Sequence, residues 1–204
     1  MKFTKLFLTF LSAAAFSTAS FGQIAGTSHD LSGETWNTGT DEICITCHTP
    51  HNAAAVTGAV LWNHGVSGAT FTTYTSGTLQ GAIGAPDGTS LLCLSCHDGT
   101  VGLEDFGGAG GTTNLIAGAA LVGTDLSNDH PISITYNTTT AGNDGGLYDP
   151  STANSGLGGT IDADLLFSGN VECASCHDVH DNTNGNFLRI SNAASALCLT
   201  CHNK

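Results

Sequence analysis

The sequence predicts a fold that is mostly irregular coil with short helices and a few short strands, held together by covalent centres in place of an oily interior. Three observations carry that expectation. Glycine alone numbers 27 of 204 residues, and only 10% of the chain is charged. Ala, Ser, Thr and Asn fill much of the rest, and no long stretch repeats apolar residues at helical or strand period. The eight cysteines fall into four copies of one spacing, Cys-x-x-Cys-His, with none left over. A small scaffold that buries too little apolar surface needs disulfides, metals or other staples, and the cysteines mark where such staples would be.

The four copies are Cys44-Ile45-Thr46-Cys47-His48, Cys93-Leu94-Ser95-Cys96-His97, Cys173-Ala174-Ser175-Cys176-His177 and Cys198-Leu199-Thr200-Cys201-His202. In this motif two thiolates add to the two vinyl groups on one edge of a haem, and the following histidine lies under the iron as its proximal ligand. Zinc sites and redox-active cysteine pairs do not require histidine directly after the second cysteine in every copy, and a disulfide framework would not space its cysteines so uniformly. The expected cofactors are therefore four covalent c-type haems. Cys44, Cys47, Cys93, Cys96, Cys173, Cys176, Cys198 and Cys201 attach them, and His48, His97, His177 and His202 are the proximal ligands. The fold expectation then becomes specific: coil wrapped around a chain of four haems.

Residues 1–22 read as a secretory signal peptide, with a basic start at Lys2 and Lys5, an apolar run from Leu6 to Phe16 and small residues near Gly22. The run is short for a bilayer span, and no later stretch approaches the length needed. Export suits covalent haem, and the expected location is extracellular or cell-surface, with the periplasm as the alternative. Removal of that segment leaves Arg189 and Lys204 as the only Lys or Arg against 17 acidic residues, a formal charge of about −15. Nucleic acid is excluded as a partner, because a phosphate backbone demands a basic surface. Cations, metal oxides or a basic protein suit such a surface.

Each iron needs a sixth ligand or an open site. Met1 is the only methionine, so Met/His ligation is not available to the mature chain. Five further histidines remain for four vacancies: His29, His51, His64, His130 and His180. His51 follows His48 by a tether that spans at most about 10 Å, fixed along one haem edge by the thioethers and stiffened by Pro50. It therefore serves some other haem, and His180 likewise. His130 precedes Pro131, which favours an extended backbone. His64, beside Trp62, is read as a packing or hydrogen-bonding residue. The expected distal ligands are His29, His51, His130 and His180, giving bis-histidine iron throughout.

An internal repeat organises the chain. Residues 44–51 and 173–180 both read C-x-x-C-H-x-x-H, whereas 92–97 and 197–202 both read L-C-L-[S/T]-C-H. We expect a tetrahaem domain over 23–204, made of a two-haem unit (23–100), an inserted loop-rich segment (101–170) and a second two-haem unit (171–204). Strands are expected at 70–74 and 132–136, and an apolar run covers 115–122. Calcium-binding loops at 143–146 or 162–164 are weaker readings, since Gly/Asp clusters are mostly plain turns.

The segments S-H-D-L-S at 28–32, C-I-T-C-H-T-P-H-N at 44–52, L-W-N-H at 61–64, L-L-C-L-S-C-H-D-G at 91–99, N-D-H-P at 128–131, C-A-S-C-H-D-V-H at 173–180 and the terminal L-C-L-T-C-H resemble the doubled Cys-x-x-Cys-His multihaem c-type cytochromes. Within that group the chain resembles the extracellular filament-forming tetrahaem cytochromes of the outer-surface cytochrome E type. The resemblance implies a loop-built fold around a haem chain, bis-histidine ligation, and a histidine of one subunit completing a haem of the next. Head-to-tail contact that does not close gives an open filament, and the expectation is that His51 ligates, in trans, the haem of His202.

The functional expectation is electron transfer over long range outside the cell, without enzyme activity. Partners would be further copies of the chain, redox-partner cytochromes or metal oxide acceptors. A monomeric periplasmic shuttle is the first rival. A multihaem reductase is the second; it needs an open iron and, usually, basic groups near its substrate.

Overall fold

The computed structural model describes residues 23–37 and 41–203, so the expected signal peptide lies outside the described residues. Regular structure is sparse. Helix α1 runs Gly88–His97, α2 Thr138–Asp144, α3 Ile161–Leu165, α4 Cys173–Cys176 and α5 Ala196–Cys201; strands β1 (Ile134–Thr135) and β2 (Asn170–Val171) form one antiparallel ladder, Ile134 opposite Val171 and Thr135 opposite Asn170. Among the described residues no helix is long and apolar enough to cross a membrane.

The short elements have identifiable boundaries. Asn137 caps α2 by accepting from the Thr140 N–H at 2.9 Å, and Gly145 ends it in the left-handed region at φ 69°, a conformation glycine adopts without a Cβ clash. Thr160 caps α3 through the Ala163 N–H at 3.2 Å. Glu172 and Ser175 form a reciprocal capping box on α4. Asp144 accepts from the Gly146 N–H at 3.0 Å and Asp164 from the Gly159 N–H at 2.7 Å, which are turn and helix-start roles.

One strand expectation is met in shortened form, since 132–136 contributes only β1. The other is not. Thr72 makes a single parallel bridge to Asp125, because the Thr/Gly-rich run around it offers no alternating apolar face to bury. The 115–122 run is likewise no strand or core helix. It holds a single 3-10 turn, Gly118–Ala120, and leaves Leu115, Leu121 and Val122 exposed.

The segment 101–170, expected to be loop-rich, contains the main apolar cluster. Tyr136, Ala141, Ile161, Leu165 and Leu166 are buried together, with Leu147, Val171, Ile190 and Cys201 packed against them. The Tyr136 hydroxyl donates to the Tyr148 carbonyl at 2.6 Å, and the Tyr148 N–H donates to the Cys201 carbonyl at 2.9 Å. The fourth motif is thereby docked on this cluster. Helix α1 packs on α4, which brings the second and third motifs together.

Candidate functional site

All four motifs share one local form. In the first, third and fourth, the N–H of the histidine donates to the carbonyl of the first cysteine, at 2.8 Å for His48, 3.0 Å for His177 and 3.0 Å for His202. The second motif lies wholly inside α1. One helical turn sets cysteines at i and i+3 and histidine at i+4 on a common face. That is the arrangement a macrocycle edge requires.

The alternatives from sequence fare poorly. Among the described residues no two cysteines are joined as a disulfide, and no three His, Cys, Asp or Glu side chains gather as a metal cage. Burial pushes the Cys47 thiol up to about 11, Cys96 to about 12 and Cys201 to about 11, and raises Cys176 as well. Redox-active pairs need depressed thiols. Cys93 and Cys173 share a thiol hydrogen bond that raises the first and lowers the second.

The thiols also define an order. Cys47 lies within electrostatic reach of Cys93 and Cys96, Cys93 bonds Cys173, and Cys176 feels both Cys198 and Cys201. The four attachment sites are thus neighbours in the order of the chain.

The histidines fall into close couples. The His29 and His97 rings stand 6.0 Å apart, His48 and His180 6.1 Å apart and near parallel at 20°, and His130 and His202 6.3 Å apart. A metal–imidazole bond is about 2 Å, so two rings on opposite sides of one metal atom put their centres about 6 Å apart. Tautomers suit the same role. The Nδ1–H of His48 donates to Val60 at 2.7 Å, that of His97 to Ala120 at 2.7 Å, that of His177 to Asn186 at 2.9 Å and that of His130 to Pro131 at 3.0 Å, all backbone carbonyls. Fixing the proton on Nδ1 leaves the Nε2 lone pair for a metal. Asp178 stands 3.5 Å from His180 Nδ1. Burial, then the charges of His97 and His177, lower the His29 pKa, the direction that favours the neutral imidazole a metal needs. Its Nδ1 is buried without a partner in the protein.

Two predicted ligands are left over. His177 and His51 are both exposed, and among the described residues neither has a second imidazole at this spacing. Sequence paired His51 with the haem of His202 in trans; within the chain it is His130 that stands across from His202. His64 is 2% exposed, with Nδ1 2.8 Å from the Gly65 carbonyl and Nε2 3.1 Å from that of Gly102. It packs edge-on to Trp62, and its Nε2 stands 3.6 Å from the Cys96 sulfur. A cavity of about 370 Å³ lies between His51, Trp62, His64 and Asp105.

The residues fit a haem on a further count. Exposed aliphatics gather round the histidines: Val60 and Leu61 beside the carbonyl that holds His48, Leu121 and Val122 beside the one that holds His97, Val179 next to His180, and Leu199 inside the fourth motif. Exposed apolar side chains next to metal-ligand candidates are what a bound macrocycle covers. The carbonyls of Val60, Ala120 and Asn186 escaped sequence reading, since backbone acceptors carry no residue-type signal. Glu172, 2% exposed and adjacent to Cys173, also escaped it, although a carboxylate abutting an attachment cysteine was visible.

Residues 167–204 match the family model described as Doubled CXXCH motif. No curated protein matches the chain. The motifs imply covalently bound c-type haem, and the doubled motif supports a multihaem c-type cytochrome.

Proposed function

We propose that this multihaem c-type cytochrome carries electrons through four bis-histidine haems in one continuous line, outside the cytoplasm, as a head-to-tail polymer. The observation that carries the reading is the set of three histidine couples at 6.0 to 6.3 Å, each made of one motif histidine and one candidate distal ligand. Haem supplies the one-electron chemistry. The chain supplies spacing, since neighbouring attachment cysteines hold successive macrocycles close, and it supplies ligands with fixed tautomers. Iron capped on both faces has no open position for substrate, which favours electron transfer over catalysis.

Assembly follows from the leftover residues. Among the described residues no imidazole stands at the coupled spacing from His177, although the His29 charge is within its reach, and His51 is exposed, so His51 of one copy ligates the iron held by His177 in the next. Copies carrying about −15 repel one another, and added salt, which screens that repulsion, strengthens assembly. Electron microscopy of the purified, secreted protein, run beside His51→Ala, tests this. Filaments for the wild type, and single particles with one high-spin haem for His51→Ala, are expected. Filaments from His51→Ala with every haem low-spin contradict the trans ligand. Wild-type single particles with every haem low-spin favour the monomeric shuttle.

A further inference from the structure

Glu172 is a carboxylic acid group at 2% exposure, and among the described residues no cation pairs with it. It sits where α1 meets α4. Its Oε2 accepts from the Ser90 hydroxyl and, at 3.0 Å, from the Ser133 hydroxyl, and its side chain also accepts the Ser175 N–H. Ser90 in turn accepts the Cys173 N–H at 2.9 Å. Three residues beyond Ser90 is Cys93, which bonds the Cys173 thiol. Glu172 therefore lies at the junction of the second and third attachment sites without being a ligand of either iron.

A path to solvent opens beside it. A cavity of about 140 Å³ is lined by Glu172, Thr89, Thr57, Asn170 and Asp87. The Thr89 hydroxyl is buried with no partner in the protein, and Asp87 is exposed at the rim. The polar groups on its wall, Thr57, Asp87, Thr89, Asn170 and Glu172, are enough partners for a water, which would join Glu172 to the exposed Asp87.

We propose that Glu172 couples proton uptake to electron transfer: it takes a proton from solvent by way of this cavity when a haem anchored beside it at Cys93 or Cys173 is reduced, and releases the proton on reoxidation. The inference rests on the covalent-haem reading. In each event one electron from a one-electron donor converts ferric to ferrous iron, and one proton from water converts the carboxylate to the acid, so local charge is unchanged. An electron added in a low-dielectric junction repels a nearby carboxylate strongly, and protonation removes that repulsion. Burial already raises the affinity of Glu172 for protons; the hydroxyls of Ser90 and Ser133 oppose this and the Asp87 charge adds to it. The groups that face it are Asp87, Ser90 and Cys93 from the α1 side, Ser133 ahead of β1, and Cys173 and Ser175 from α4. The two thiols cease to titrate once they become thioethers, so among the described residues facing Glu172 the other ionisable side chain is Asp87, beside the propionates that each haem brings.

Redox-difference infrared spectroscopy on the electrode-poised holoprotein tests the assignment, alongside midpoint potentials measured against pH. A carboxylic acid band should appear on reduction in the wild type and in Asp87→Asn, and be absent in Glu172→Gln. One or two midpoints should fall with rising pH, towards a tenfold change in the reduction equilibrium per pH unit, or 59 mV, and Glu172→Gln should flatten them. A band and slope that survive in Glu172→Gln, or that are missing from the wild type, overturn the proposal. If Glu172→Gln does not fold, Glu172→Asp replaces it: a slope displaced along the pH axis supports the proposal, and an unmoved one overturns it. Haem content measured on the same samples reports separately on the covalent-haem reading.

Discussion

The segments 44–51 and 173–180 share one pattern, C-x-x-C-H-x-x-H, and one local turn, yet their last histidines have different fates. His180 stands 6.1 Å from His48, beneath the other long motif of the same chain. His51 is exposed, and among the described residues no imidazole stands at that spacing from it. On the proposed reading, spacing within a motif fixes the proximal ligand, and the distal ligand is decided by which segments the rest of the chain brings alongside. On the proposed reading this asymmetry leaves His51 without an iron and the His177 iron without a second imidazole among the described residues, and the assembly proposal stands on that mismatch.

The largest effects should come from the cysteines. Replacing Cys44 and Cys47, or Cys173 and Cys176, with Ala should each lower the intact mass by one haem, and two lost haems from either variant would mean that the sites are not independent. Next come the final histidines. His180→Ala should make one haem high-spin and able to bind carbon monoxide in dispersed and assembled protein alike, whereas His51→Ala should do so only relative to assembled wild type. Identical behaviour of the two variants would erase the distinction between the segments.

Smaller changes separate the apolar middle of the chain from its motif-bearing ends. Ile161 has no exposed surface, and Ile161→Ala should cost about 2–5 kcal/mol, read as a lower denaturation midpoint. Thr160→Ala, which removes only the cap of α3, should cost about 1 kcal/mol. The smallest effect is electrostatic. The Ser155 hydroxyl, then the Gly159 N–H, hold the Asp164 carboxyl below the usual range. A depressed folded-state pKa contributes stability above the ordinary Asp value and loses it as pH falls through the folded value. The melting-temperature difference between wild type and Asp164→Asn should therefore be present at neutral pH and vanish in acid.

The sequence carried the attachment chemistry because the motif is a local geometric code: residues i, i+3 and i+4 meet on one turn whatever surrounds them. The coil-rich character was legible for a similar reason, as Gly, Asn and Thr act on the backbone close to their own positions. What stayed hidden depends on contacts between residues far apart in the chain. That His29 meets His97 and His130 meets His202, across separations of 68 and 72 positions in the numbering, follows from packing that no spacing encodes. The cluster around Ile161 and Tyr136 was missed because its members come from short elements, each too brief to show a period. Glu172 was missed because burial decides its chemistry, and burial is not written in residue type.

Quantitative electron paramagnetic resonance of the oxidised, purified protein, set against chain concentration, tests the central claim most directly. Four low-spin ferric haems per chain, with no high-spin signal in the assembled material, is the expected result. Fewer than four haems, or a standing high-spin population, would contradict the account of four macrocycles each held between two imidazoles.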